Sequence, residues 1–182
     1  MSDTLQLKIE GLHERHPGLT KALSESYSEA ASVCWSRHHE PPVTVSLRYH
    51  GAAVLRTIYF DLPSARVHRA HANELDATET GAYGVALAAV EDTAGLVAVS
   101  RAETLTGADW YVAPIGAVVT DLEDCIRLEV SGISAGTSAD VERRLRAKVA
   151  QASRGDSDLP AMAAVVGFKV LEIAVSPIEA SR

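Results

Sequence analysis

Apolar residues at Leu19, Leu23, Tyr27, Ala30 and Cys34 recur at steps of three and four, which predicts a helix opening at Pro17 and running to about residue 37. Proline suits the first turn of a helix, where its missing N–H has no intrahelical partner. The pair Pro41-Pro42 ends this element. Before it, residues 4–9 alternate weakly and predict a short strand. After it, two β-rich runs, Val43–Tyr49 and Ala53–Phe60, flank His50-Gly51 and predict a hairpin. Pro63 closes this N-terminal section.

From about Asn73 to Thr93 the pattern is helical, with Gly95 as its stop. Strands follow over Leu96–Arg101 and, after the turn residues Thr106-Gly107, over Ala108–Ala113. A connection rich in acids, Pro114–Asp124, leads to a third strand, Ile126–Val130, and then to a loop carrying Gly132 and Gly136. Val141, Leu145, Val149 and Ala152 form the stripe of an amphipathic helix over Asp140–Ser153. Pro160 separates it from one long β-branched strand, Ala164–Val175. A strand that returns after a helix forms a crossover, so this last one is expected to pair parallel with an earlier strand. The fold class is therefore α/β, with a mixed central sheet flanked by helices.

A chain of 182 residues with 47% apolar content suits one domain, 1–182. Residues 1–63 read as a helix and hairpin extension and 73–175 as the core. No apolar run reaches the ~20 residues that a membrane span needs, so no membrane partner is expected. The N-terminus lacks the basic start and apolar stretch of a signal peptide. Cys34 and Cys125 have no spaced partners, which fits reduced, buried thiols and a cytoplasmic location. The net charge of -7 argues against a large nucleic-acid footprint. Two local basic groups run against that balance: Arg143, Arg144, Arg146, Lys148 and Arg154, and, earlier, Arg66, His68, Arg69 and His71.

The candidate chemistry lies in three acids on successive elements. Glu79 shares a helix face with Ala82, Ala86 and Val90, which must meet the sheet, so its carboxylate is carried inward. The alternative is that Glu79 and Asp76 merely favour the helix N-terminus through its dipole. On the second strand, Asp109 shares a face with Tyr111. On the third, Arg127, Glu129 and Ser131 oppose the apolar Ile126, Leu128 and Val130, either as a solvated face or as the lining of a site. Carboxylates brought together repel unless a cation joins them, and oxygen ligands suit a hard divalent ion.

The order helix, three strands, helix, strand over residues 73–175 resembles the PD-(D/E)XK nuclease superfamily, the restriction-endonuclease-like fold with its αβββαβ core. Glu79 matches its first-helix acid, Asp109 in TGADWYV its second-strand Asp, and Glu129 in RLEVSG its third-strand acid. Gln151 stands where some members carry a supporting glutamine. The resemblance implies that Glu79, Asp109 and Glu129 bind one or two Mg²⁺ or Mn²⁺ ions, which activate water for phosphodiester hydrolysis in DNA. Substrate would be met by Ser131, Arg143, Arg144, Arg146 and the Arg66–Arg69 cluster. The family's lysine, two residues after the third-strand acid, is Ser131 here, which brings a hydroxyl and no cation. Lys169 on the last strand and Lys148 on the second helix are the candidates to replace it.

Two further readings follow from the same residues. One is a non-catalytic member of the fold that binds or regulates, which Ser131 and the acidic balance favour. The other is an interaction module whose hairpin edge, 43–60, pairs with a partner strand or with a second copy in a homodimer. Other motifs carry less. The Ser131–Ser138 loop lacks the Gly-Lys-Ser/Thr ending of a phosphate loop and reads as a turn capped by Thr137 or Ser138. The histidine pairs at 38–39 and at 68 and 71 have no cysteine pair beside them to complete a zinc site.

Overall fold

The computed structural model describes residues 5–103, 107–152 and 159–178; Thr4, Thr106, Ser153 and Arg154, which enter the sequence expectations, lie outside them. In chain order come α1 (Leu12–Arg15), α2 (Lys21–Ser36), β1 (Val43–Tyr49), β2 (Ala52–Ile58), α3 (Ala65–Ala70) and α4 (Glu74–Ala94). Then follow β3 (Leu96–Arg101), β4 (Trp110–Pro114), β5 (Ile126–Ile133), α5 (Ser138–Ala152), β6 (Ala161–Gly167) and β7 (Glu172–Ile178). The strands form one mixed sheet in the order β2-β1-β7-β6-β5-β4-β3. Both β5 with β6 and β1 with β7 pair parallel, and the remaining neighbours are antiparallel. The parallel β5–β6 pair is the expected crossover through α5.

Helix α4 organises one layer. Asn73 caps its start, its side chain accepting from the Leu75 and Asp76 N–H groups, and Gly95 closes it at φ 63. Every residue from Gly81 to Val90 is buried, because α2 packs on one side of α4 and the sheet on the other. The core below α2 and α4 takes Leu47, Ala98, Trp110, Leu128, Val166 and Ile173 from six strands. Full burial of one such side chain contributes roughly 1.5–3 kcal/mol. On the opposite face α5 lays Val141 and Leu145 over Ala163, Val165 and Ala174. Thr137 and Asp140 cap α5 reciprocally: the Asp140 carboxylate accepts the Thr137 N–H at 2.8 Å, and the Asp140 N–H reaches the Thr137 hydroxyl at 3.4 Å.

Two expectations are corrected. The predicted strand Ala164–Val175 is two antiparallel strands, β6 and β7, joined through Phe168–Leu171, with Leu171 at φ 56. Both strands are buried on both faces, so the apolar run carries no alternation that would reveal the turn. Helix α2 begins after Thr20, whose side chain accepts the Leu23 N–H, and not at Pro17. Pro17-Gly18 belongs instead to the covering of the β3 edge, where the Gly18 N–H reaches the Ala98 carbonyl at 2.8 Å. The hairpin β1–β2 joins the same sheet as the core, beside β7. Cys34 and Cys125 are both buried free thiols. Among the described residues no helix is long and apolar enough to cross a membrane.

Candidate active site

The site forms where β4 and β5 part. The β4–β5 ladder stops at the pair Trp110–Leu128, while β5 continues to Ile133. Asp109, one residue outside β4, continues the pairing with its own atoms: its N–H donates to the Leu128 carbonyl at 2.9 Å, and its Oδ2 accepts the Val130 N–H at 2.7 Å. Beyond it no described strand pairs with this edge of β5, and Gly132 there packs against Thr78 of α4. Glu79 reaches this gap from α4, and Glu129 reaches it from the sheet face beneath α5. A cavity of about 270 Å³ is lined there by Glu79, Asp109, Glu129, Ser131, Arg144 and Lys148, with Leu75 and Thr78 at its α4 side.

Glu79 and Asp109 share one partner, and Glu129 has others. The Tyr83 hydroxyl is 2.7 Å from Glu79 Oε1 and 3.1 Å from Asp109 Oδ1. Lys148 Nζ is 3.0 Å from Glu129 Oε2, a buried oxygen with no hydrogen bond besides that ion pair. Gln151 Nε2 donates to Glu129 Oε1 at 3.4 Å, and Arg144 donates to Ser131 Oγ at 3.1 Å. The Arg101 guanidinium stacks 4.3 Å from the Tyr83 ring centroid and lies 3.9 Å from Asp109 Oδ1. Burial pushes the Tyr83 phenol above its usual range; Arg101 opposes that shift, and Glu79 and Asp109 add to it.

Several predicted residues stand differently from their expected places. Glu79 is exposed at the rim and not carried into the interior. Arg127, Glu129 and Ser131 are buried and their face is not solvated: Arg127 reaches the Leu159 carbonyl, and Glu129 and Ser131 meet Lys148, Gln151 and Arg144 of α5. Lys169 is exposed in the β6–β7 turn, where its carbonyl accepts from His39 at 2.9 Å; Lys148 is the lysine at the carboxylates. Arg143 pairs with Asp140, and Arg146 pairs with Glu142 and lines neither this cavity nor its neighbour. Arg66 and Arg69 are exposed on α3. Tyr83 and Arg101 were not among the predicted residues. The step of four from Glu79 places Tyr83 on the same helix face and is a legible signal; Arg101 has no local one.

Among the described residues no group of three or more His, Cys, Asp or Glu stands close enough to hold a metal ion. Tyr83 lies between Glu79 and Asp109, and Lys148 holds Glu129. The donor set nevertheless fits a hard divalent cation, being carboxylate oxygens without sulfur or imidazole, with Glu129 Oε2 poor in donors. No protein-family model matches the chain, and no curated protein or solved structure shows significant similarity to it.

Proposed function

We propose that the protein is a metal-dependent nuclease that hydrolyses phosphodiester bonds in DNA on a restriction-endonuclease-like αβββαβ core. The supporting observation is the single cavity lined by Glu79, Asp109, Glu129 and Lys148, which come from two helices, a strand and a strand end. The order α4-β3-β4-β5-α5-β6 agrees with that core. Glu79, Asp109 and Glu129 would hold a Mg²⁺ or Mn²⁺ ion once it displaced the Tyr83 and Lys148 contacts, and the ion would supply Lewis acidity toward the phosphoryl oxygens and make water nucleophilic near neutral pH. Lys148 brings the cation that Ser131 lacks, and its ammonium offsets charge growing on the phosphate. Gln151 fixes Glu129 from the other side. Arg144, anchored by Ser131, offers its remaining N–H donors to a phosphate oxygen.

The test is plasmid cleavage in Mg²⁺ or Mn²⁺ by the wild type and Asp109→Asn. Asparagine keeps an acceptor for the Val130 N–H, so the fold is retained while the charge is lost. Cleavage should fall by at least about 100-fold, within the range that electrostatic groups at a reacting centre command. Undiminished cleavage by this variant removes the assignment. The Tyr83 and Lys148 contacts, which already engage the acids, favour a second reading: a non-catalytic protein of the same fold. Calorimetry separates the two, since only the nuclease should take up Mn²⁺ with release by Asp109→Asn.

A further inference from the structure

A second cavity, of about 480 Å³, adjoins the acidic one and shares Arg144 with it. Its other lining includes Ile133, Gly136, Asp140 and Arg143. The two cavities differ in charge. Three carboxylates face Arg144 and Lys148 in the first, whereas Arg143 and Arg144 face only Asp140 in the second. Asp140 is moreover already engaged. Its Oδ2 accepts both the N–H and the hydroxyl of Thr137 at 2.8 Å, and its Oδ1 accepts from Arg143 at 2.6 Å.

We infer that the second cavity seats the phosphate next to the scissile one, so that the substrate is a polynucleotide strand extended across Arg144 and not a small phosphodiester. This rests on the phosphodiester chemistry proposed for the acidic cavity. Arg144 is suited to the junction because a guanidinium has five N–H donors in a planar fork and spends one on Ser131. Arg143 is available as well. Its side chain is 72% exposed, and an exposed ion pair such as Arg143–Asp140 is weak because water and salt screen it. A phosphate therefore competes for it readily, and charge neutralisation there needs no metal.

The experiment uses the full chain in Mn²⁺ with two substrates, bis(p-nitrophenyl) phosphate and an end-labelled oligonucleotide, and compares Arg143→Gln with Arg146→Gln. Both variants remove one exposed positive charge from α5, but Arg146 lines neither cavity. Arg143→Gln should lower the ratio of oligonucleotide to small-diester activity by about tenfold and reduce the salt slope of oligonucleotide binding by about one. Arg146→Gln should leave that ratio near the wild-type value. Equal losses in the two variants, or no loss in Arg143→Gln, overturn the inference while leaving the chemistry standing. If neither substrate is cleaved by the wild type, the proposed chemistry fails. Oligonucleotide anisotropy then decides this point: weaker binding in Arg143→Gln than in Arg146→Gln sustains the seat for a strand phosphate, and equal binding refutes it.

Discussion

The Tyr83 hydroxyl has one proton and two carboxylate neighbours. The shorter contact, 2.7 Å to Glu79, takes the proton, so Asp109 Oδ1 at 3.1 Å meets the phenolic oxygen and is balanced chiefly by Arg101 at 3.9 Å. Tyr83 thereby holds Glu79, an exposed side chain, against the site through the 2.7 Å hydrogen bond. Tyr83→Phe should release Glu79 and lower metal-dependent activity or metal affinity by about 10–100-fold, as loss of a ligand's supporting partner does. A metal-activation curve that overlays that of the wild type would show Tyr83 to be packing only. At this scale the acids themselves were legible, since charged residues stand out within apolar-patterned elements. Their partners were less so. The choice between Lys148 and Lys169 turns on where a chain reversal falls, and the immediate neighbours of Lys169, namely Phe168, Val170 and Leu171, read as a continuing strand.

Among elements, the contact of α2 with α4 depends on glycine. A Cβ added at Gly81 would lie 2.8 Å from the Ala31 nitrogen and 2.9 Å from its Cα, backbone atoms that cannot turn aside. Helix propensity alone predicts that Gly81→Ala stabilises α4 by about 1 kcal/mol. Overpacking in a rigid contact costs about 1–3 kcal/mol, so the expected result is a net loss of up to about 2 kcal/mol in urea unfolding. A gain in stability would mean that the helices part easily. The long helices and most strands were readable because their apolar positions repeat over several turns or alternations. The four residues of α1 and six of α3 are too few to show a period. The β6–β7 turn was hidden for another reason: strands buried on both faces flank it, and Val170-Leu171 within it are themselves strand-forming residues.

At the level of the whole molecule, the sheet's β3 edge is closed by the segment around His16. Its Nδ1 accepts the Ala98 N–H at 2.9 Å, and its Nε2–H donates to Glu91 at 3.1 Å, which fixes one neutral tautomer in a fully buried ring. Burial lowers the His16 pKa below 6.5, although the Glu91 hydrogen bond and charge pull it upward. The unfolded chain therefore binds this proton at higher pH than the folded one. The contribution is intact above about pH 6.5 and is lost as pH falls from there toward the folded-state pKa. Unfolding free energy should accordingly fall between pH 7 and pH 5, and the fall should be shallower in His16→Gln, which retains a donor and an acceptor. Identical slopes in the two proteins would assign the loss to other groups.

The sequence by itself determined the α/β class, the order of the principal elements, the crossover through α5 and the acids worth following, because each of these depends on local periodicity and residue chemistry. Only the tertiary structure decided that β4 leaves β5 at Trp110, so that no described strand pairs with β5 beyond it on that side. Through that gap Glu79 and Glu129, borne on opposite sides of the sheet, line a single cavity with Asp109 and Lys148. The position of such a gap depends on where a hydrogen-bonded ladder stops, and that is set by pairing between segments distant in the chain.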